Sequence, residues 1–494
     1  MSKIFEQVAI RTPRMSAFDQ SHEKKGSGTI GNLIPVLSKA ILPGDQVKLS
    51  TELFMRFAPL IAPNMHRWNA YVHYFFVPNR IIWDEWEDFI TGGRDGVSAP
   101  TVPLISMSAT NFAEGKLADY LGFPTVTSGP SYQPSVSSLP FRAYQKIYNE
   151  YYRDETLSPE IPMTATANEI SQIRQRSYEK DYFTSALNDT QRGPQVTLDG
   201  NIIYKDPSEV RAGANPAPPN ENLGTNASGD LEVTTSNLGV FIDNIDSLGI
   251  TIEELRQSSA LQRFLERNMR GGYRYTEQIL SHFGVRSSDA RLQRPEYLGG
   301  NRQPIVISEV LNTSATATEP QGTMAGHGLT VGSSRPIKRR FEEHGFLMAI
   351  MSVIPRTAYQ QGIPREHLRF DRLDYYWPEF ANLGEQEVQN QEIYYDQTTN
   401  ADLNRAAFGY QQKYAEYKYE PSTVHGDFRS SLDYWHSGRI FAGPPSLNQG
   451  FVEVAAGAHN RMFAVTAGDH LWYQLFHNLK IRRPMPYFGV PSLR

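Results

Sequence analysis

The chain has 494 residues, 48 basic and 53 acidic side chains, a formal net charge of −5, 12% aromatic residues and no cysteine. Lacking cysteine, it has no disulfides, thiolate nucleophiles or cysteine-ligated metal centres. The near-balanced charge excludes a generally basic nucleic-acid binder but leaves room for a local basic face. The length fits one elaborated domain or about three ordinary ones. The 32 prolines and 37 glycines suit short strands on long loops. The N-terminus lacks the apolar stretch of a signal peptide, and no apolar run reaches the roughly 18 residues of a membrane helix. The expectation is a soluble product, without membrane insertion, assembled in a reducing cytoplasm.

Residues 1–46, with the polar patch His22–Gly28, read as an extended N-terminal arm that turns at Pro43-Gly44-Asp45. From Val47 to Phe57 apolar residues alternate with Lys48, Ser50, Glu52 and Arg56, which marks a strand with one wet and one buried face. Trp68–Val77 is apolar or aromatic on both faces, so it needs a second cover: inserted helices or another subunit. A helix follows from about Pro78, carrying Ile82, Trp83, Trp86, Phe89 and Ile90, and Gly92-Gly93 ends it. Residues 94–335 read as insertions with helices. Pro140 opens a stripe of Phe141, Tyr144, Ile147, Tyr148 and Tyr151. Thr251–Glu254 is a capping box before a helix bearing Leu255, Leu261, Phe264, Leu265 and Met269, and a shorter helix covers Thr276–Phe283. Residues 188–238 are too poor in apolar groups to order themselves and read as an exposed loop, with a hairpin near Val196–Tyr204. Residues 312–335 read as a second surface loop. Strands return at Phe346–Ile354, Phe463–Thr466 and Leu471–Ile481, so residues 47–93 and 336–494 supply the sheet of one domain.

The chain has neither a phosphate-binding glycine loop nor a serine elbow, and its histidines show no metal-ligand spacing. Glu85, Glu87 and Asp88 suit a solvated helix face better than a glycosidase pair. Asp371 and Asp374 are weak candidates for a divalent cation, with pairing to Arg369 and Arg372 as the plainer reading; no cofactor is otherwise expected. Two basic features stand out: Arg335-Pro-Ile-Lys-Arg-Arg340, and Lys480, Arg482, Arg483 and Arg494 beside Trp472, Tyr473, Tyr487 and Phe488. Cations beside stacking rings suit single-stranded nucleic acid. The same side chains also suit an arginine cluster that bonds a neighbouring chain's carboxylates. The tail Arg483–Pro491 reads as an extended segment lying along its own or a neighbour's surface.

Several blocks together resemble the microvirus major capsid proteins, the gokushovirus-like branch especially. They are Trp68–Arg80 with Trp83 and Trp86–Gly93, then Gly271-Gly-Tyr-Arg-Tyr-Thr-Glu277 and Asp289–Gly300, then Ala415–Tyr419, Gly426–Arg429 and Leu432–His436. They span nearly the whole chain in family order. The resemblance implies a mainly β protein: a single eight-stranded antiparallel jelly roll of the viral capsid type with long inserted loops and a few short helices. It further implies about sixty copies closing a T=1 icosahedral shell around single-stranded DNA, in the company of minor capsid, pilot and DNA-packaging proteins. The 188–238 loop, with Asn215, Pro218, Asn220 and Asn226, falls where such proteins vary most and would face a host receptor. The readings left beside this one are a jelly-roll carbohydrate-active enzyme or lectin using Glu85, Glu87 or Asp374, and a trimeric host-binding spike.

Overall fold

Alternation of side chains sets the architecture. The computed structural model describes residues 14–93, 99–126, 134–164, 166–193, 224–225, 231–232, 252–271, 275–284, 286, 288, 292–314, 321–397 and 401–488. These fall in two units, residues 1–190 with 272–494, and residues 191–271. In the larger unit the main sheet is built from β1 Ser16–Asp19, β2 His22–Gly28, β3 Ile34–Ile41, β4 Gln46–Phe57, β5 Trp68–Pro78, β6 Glu296–Leu311, β7 Met324–Ser333, β8 Ile337–Arg340, β9 Gly345–Pro355 and β10 Leu471–Arg483. They pair antiparallel in the order β1–β10–β4–β7–β6–β5–β9–β3. β8 also lies on β4, and β2 also lies on β10. The long strand β6 changes partners along its length: Glu296–Ile305 pair with β5, and Val306–Leu311 pair with β7. It thereby joins two halves of a mainly β, jelly-roll-like fold of the viral capsid kind, with eight strands on the continuous path and two beside it among the described residues.

Inward residues of both halves meet in one core. On β4, Val47, Leu49, Leu53, Met55 and Phe57 are buried, and Lys48, Glu52, Phe54 and Arg56 are exposed. Phe57 packs edge-on against Trp68 at 5.4 Å, and Leu347, Ala349 and Met351 of β9 join the same cluster with Leu475 and Leu479 of β10. Each such large side chain contributes on the order of 1.5–3 kcal/mol by leaving water.

The doubly apolar strand β5 is covered as its sequence demands. Trp68, Ala70, Val72, Tyr74 and Phe76 enter the core, while Phe75 and Val77 turn to the opposite face. There they meet α1 Trp86–Thr91, which follows β5 in the chain, and two helices from the insertion, α2 Leu117–Leu121 and α3 Leu139–Ile147. Phe141, Tyr144 and Ile147 of α3 are fully buried against Met348 and Ile350 of β9. The second cover is therefore this chain's own helices.

Five expectations need correction. The arm expected over 1–46 contains strands β1, β2 and β3 of the sheet. The insertion expected over 94–335 includes the whole of β6 and β7, so residues 312–335 are not simply a loop. Their proline and glycines hide them: a Cβ on Gly328 would come within 2.7 Å of the Phe57 ring, and one on Gly326 within 2.4 Å of the Ala62 carbonyl oxygen. These strand positions need glycine because core groups occupy the Cβ space. The helix after Pro78 is broken into a 3-10 turn, Asn79–Ile81, and α1, which Gly92 ends at φ 84°. Phe463 makes only an isolated bridge to Leu60, so no strand forms at 463–466. Tyr148–Tyr152 continues α3 as a π-turn rather than as α-helix.

The second unit is described through α4 Ile252–Gly271 and a two-residue antiparallel pair, Gly224–Thr225 with Leu231–Glu232. On α4, Leu255, Leu261 and Phe264 are about half exposed and Met269 is buried. A further helix of the larger unit, α5 Tyr275–Phe283, ends at Gly284 in the left-handed region. Residues 1–13, the 194–223 part of the exposed loop with its hairpin, Thr251 of the capping box and the tail beyond Phe488 lie outside the described residues. So do Asn215, Pro218, Asn220, Asn226 and Arg494. No helix among the described residues is long and apolar enough to cross a membrane.

Candidate assembly and nucleic-acid surfaces

Among the described residues one face of the sheet is uncovered, and pairing register decides which side chains share it. In antiparallel pairs, directly opposed residues point the same way. Lys480 of β10 opposes Lys48 of β4, and Lys48 opposes Lys338 of β8, giving a row of three lysines across three strands. The next row is Arg482, Gln46 and Arg340. All six side chains are exposed. At the outer edge Asp19 of β1 stands opposite Lys480, and its carboxyl is held below the usual range by hydrogen bonds from Ser21, the side-chain one first.

Towards the other end of the same face come Ser50 opposite Asn478, then Glu52 opposite Phe476, Phe54 opposite Gln474, and Arg56 opposite Trp472. Trp472 is 48% exposed, and Phe54 and Phe476 are more than a third exposed. The Arg56 guanidinium lies 5.2 Å from the Phe54 ring centroid.

The sequence candidates divide. Lys480 and Arg482 lie on this face, but Arg483 does not join them. Its Nε donates to Oδ2 of the fully buried Asp45 at 3.0 Å, and its Nη2 donates to the Ala40 carbonyl at 2.7 Å. Tyr473 points into the core, and Tyr487 stacks on Phe18 at 5.7 Å, so the described part of the tail lies along its own chain. Lys48 escaped notice because it is only the wet position of an alternating strand. The 335–340 cluster was visible, but joining it to Lys480 needs the pairing of both strands with β4.

Asp371 and Asp374 serve the backbone. Asp371 Oδ1 accepts from the Arg372 N–H at 2.6 Å, and Asp374 Oδ2 accepts from the N–H groups of Phe370 and Asp371 at 2.9 Å each. Those backbone bonds hold the Asp374 carboxyl below its ordinary pKa. The expected partners go elsewhere: Arg369 pairs with Glu416 at 3.5 Å because the free N–H groups of the 3-10 turn claim the two aspartates. Among the described residues no group of three or more His, Asp or Glu side chains is arranged to hold a metal ion. Glu85, Glu87 and Asp88 lie exposed around α1.

What the aspartate turn does is display an aromatic plateau. Phe370 is 87% exposed, and Tyr375, Tyr376 and Trp377 are each about half exposed. The plateau is held from below: Trp377 Nε1 donates to the Arg372 carbonyl at 2.8 Å, Tyr376 meets the buried Tyr414 edge-on at 5.0 Å, and Arg369 lies 4.1 Å from the Tyr417 ring. Rigid exposed aromatics beside arginine have the composition of a protein–protein interface core.

The jelly-roll-like scaffold, with one exposed aromatic surface and one basic surface, is of the class found in the structural proteins of viral capsids. The chain belongs to the phage capsid family described as "Capsid protein (F protein)", whose profile matches residues 7–493. It is 33% identical to capsid protein VP1 of Chlamydia phage 1 over all of this chain and 98% of that protein. Against capsid protein VP1 of Bdellovibrio phage phiMH2K the identity is 34%, covering 99% of this chain and 97% of the relative. Capsid protein VP1 of Spiroplasma virus 4 is 30% identical over 96% of this chain and 94% of its own length. The chain is thus a microvirus-type major capsid protein, a virion component that assembles with copies of itself into a capsid.

Proposed function

We propose that this chain is the repeating subunit of a T=1 icosahedral shell of about sixty copies enclosing single-stranded DNA, assembled in the host cytoplasm without a resident cofactor. Minor capsid, pilot and DNA-packaging proteins complete the particle, and the 188–238 loop faces a host receptor. The single observation that carries the reading is similarity to capsid proteins along the whole chain. The rigid plateau at Phe370–Trp377 adds physical support, since exposed rings on a finished core call for a cover, and in a shell the available cover is the next copy.

Electron microscopy of the expressed protein, alone and with its partners, tests this. Uniform spherical shells are the expected product, and a stable monomer or trimer under all assembly conditions sinks the proposal. The double substitution Tyr376→Ser with Trp377→Ser should keep the fold, because both rings are half exposed. It should lower shell yield at least tenfold, since interface aromatics are the usual hot spots.

A further inference from the structure

We propose that the cleft between β2, α2 and the start of β10 binds a small aliphatic diamine, its ammonium groups held by carboxylates and by the Tyr473 hydroxyl. The proposal goes beyond the shell reading and concerns the single chain.

Strand register and a missing side chain shape the cleft. Tyr473 of β10 stands opposite Gly26 of β2. A Cβ on Gly26 would lie 2.4 Å from the Tyr473 hydroxyl oxygen, so glycine is what lets the ring lean across β2 and line the cleft. Tyr473 is only 4% exposed, yet its hydroxyl has no hydrogen-bond partner among the described residues. Buried hydroxyls are ordinarily bonded, and one left open towards a cleft points to a group that arrives from outside.

The charge of the cleft says what kind of group that is. Asp119 of α2, Asp469 and, at the exposed rim, Glu114 line it together. Asp469 accepts from the Ser27 hydroxyl at 2.6 Å and the Thr29 hydroxyl at 3.0 Å, and Asp119 Oδ2 accepts from the Gly115 N–H at 3.0 Å. These bonds fix both carboxylates without neutralising either. Of the two lysines in the lining, Lys25 pairs with Glu23 at 3.5 Å, and Lys24 donates to the Pro35 and Tyr120 carbonyls. Lys24 attracts Asp119 only at longer range. Three carboxylates thus face one lysine, and the complement of that excess is a cation with two charges. Water can satisfy the hydroxyl but not the charge. Among the described residues no three acidic or histidine side chains converge as metal ligands. A cation that brings its own N–H donors suits carboxylate and phenol oxygens set on separate segments. The cleft holds about 180 Å³. That is a little more than the roughly 150 Å³ that accommodates benzene, so a chain of roughly six or seven non-hydrogen atoms fits. Butane-1,4-diamine has that size and both charges.

The test is calorimetric titration of the full-length chain with butane-1,4-diamine, with butane-1,4-diol as the uncharged control of equal length. Saturable binding of the diamine alone is the expected result. Asp119→Asn keeps an acceptor for the Gly115 N–H and should weaken binding about tenfold, as the loss of a charged hydrogen bond does. Tyr473→Phe keeps the ring and has no bond within the protein to lose. Its melting temperature without diamine should therefore stay at the wild-type value while diamine affinity falls about tenfold. Glu114→Gln, exposed at the rim, should weaken binding about threefold and gives a second charge variant if Asp119→Asn fails to fold. Binding of the diol equal to that of the diamine overturns the proposal, as does no saturation by about 10 mM diamine. Wild-type affinity in both charge variants, or in Tyr473→Phe, overturns it too. Displacement of the diamine by equimolar magnesium chloride assigns the cleft to a metal ion instead. Diamine binding by the unassembled chain that assembled shells lack assigns it to a lysine of a neighbouring copy, and the small-molecule site falls.

Discussion

Lys480 and Arg483 stand three residues apart on one strand and do different work, because alternation sends one to the open face and the other to a buried carboxylate. Asp45 is fully buried, and its Oδ2 accepts both from Arg483 and from the Leu42 N–H at 3.0 Å. Removing the cation from such a pair leaves a buried carboxylate without its counter-charge, which costs about 3–5 kcal/mol. Arg483→Gln should therefore lower the unfolding free energy by an amount in that range, read from denaturant titrations, while oligonucleotide affinity of the folded protein stays at the wild-type level. A loss of affinity with unchanged stability would return Arg483 to the nucleic-acid face. Residue composition made the basic C-terminal stretch legible, but not this division. A sequence separation of 438 between Asp45 and Arg483 leaves no local signal of their meeting.

Elements were legible in proportion to how far their own residues specify them. β4, β5, β9 and β10 announce themselves through alternation or a continuous apolar run, and α3 through its helical stripe after proline. β6 and β7 do not. Pro304, Gly299 and Gly300 interrupt one, and Gly326, Gly328 and Gly332 the other, so both read as insertion until His73 and Tyr297 are seen occupying the missing Cβ space at Gly300, and Phe57 and Ala62 that at Gly328 and Gly326. The plateau was likewise seen only as two aspartates, because the turn that orders the rings shows in hydrogen bonds and not in spacing. At this scale α3 matters as the lid on β5. Tyr144 is fully buried; its hydroxyl donates to the Leu33 carbonyl at 2.8 Å and accepts from the Arg174 N–H at 2.9 Å. It thereby pins both flanking segments to the helix, and burial raises its pKa well above the ordinary tyrosine value. Tyr144→Phe keeps the ring but orphans two buried backbone groups, which cost about 1–3 kcal/mol. A thermal-melting series should show that loss. A neutral result would mean that the segments at Leu33 and Arg174 hold without the helix.

Across the whole molecule, the sheet depends on pairings between the two ends of the chain, as β1 and β2 both lie on β10. Buried neutral histidines sit at these long-range joints. His477 of β10 bridges Thr51 Oγ1 at 2.9 Å and the Val36 carbonyl at 3.1 Å, linking three strands. His459 lies edge-on to Trp68 at 5.6 Å, and its Nε2 is 3.0 Å from the Tyr178 hydroxyl. Burial, helped by nearby cations, pushes His477 down to about 4 and His459 down to about 3. His66, His73 and His436 are lowered too, again chiefly by burial. In the unfolded chain each titrates near 6.5, so between about pH 6.5 and 4 the unfolded state binds more protons than the folded one. The stabilisation is complete above about pH 6.5 and is lost as pH falls through that window, by about 2 kcal/mol for each of His459 and His477 at pH 5. Denaturant midpoints should thus decline steadily from pH 7 to pH 5. The double variant His459→Gln/His477→Gln should start lower at pH 7 but decline less, with about 4 kcal/mol of the pH dependence gone. An equally steep decline in that variant would move the acid sensitivity to other groups.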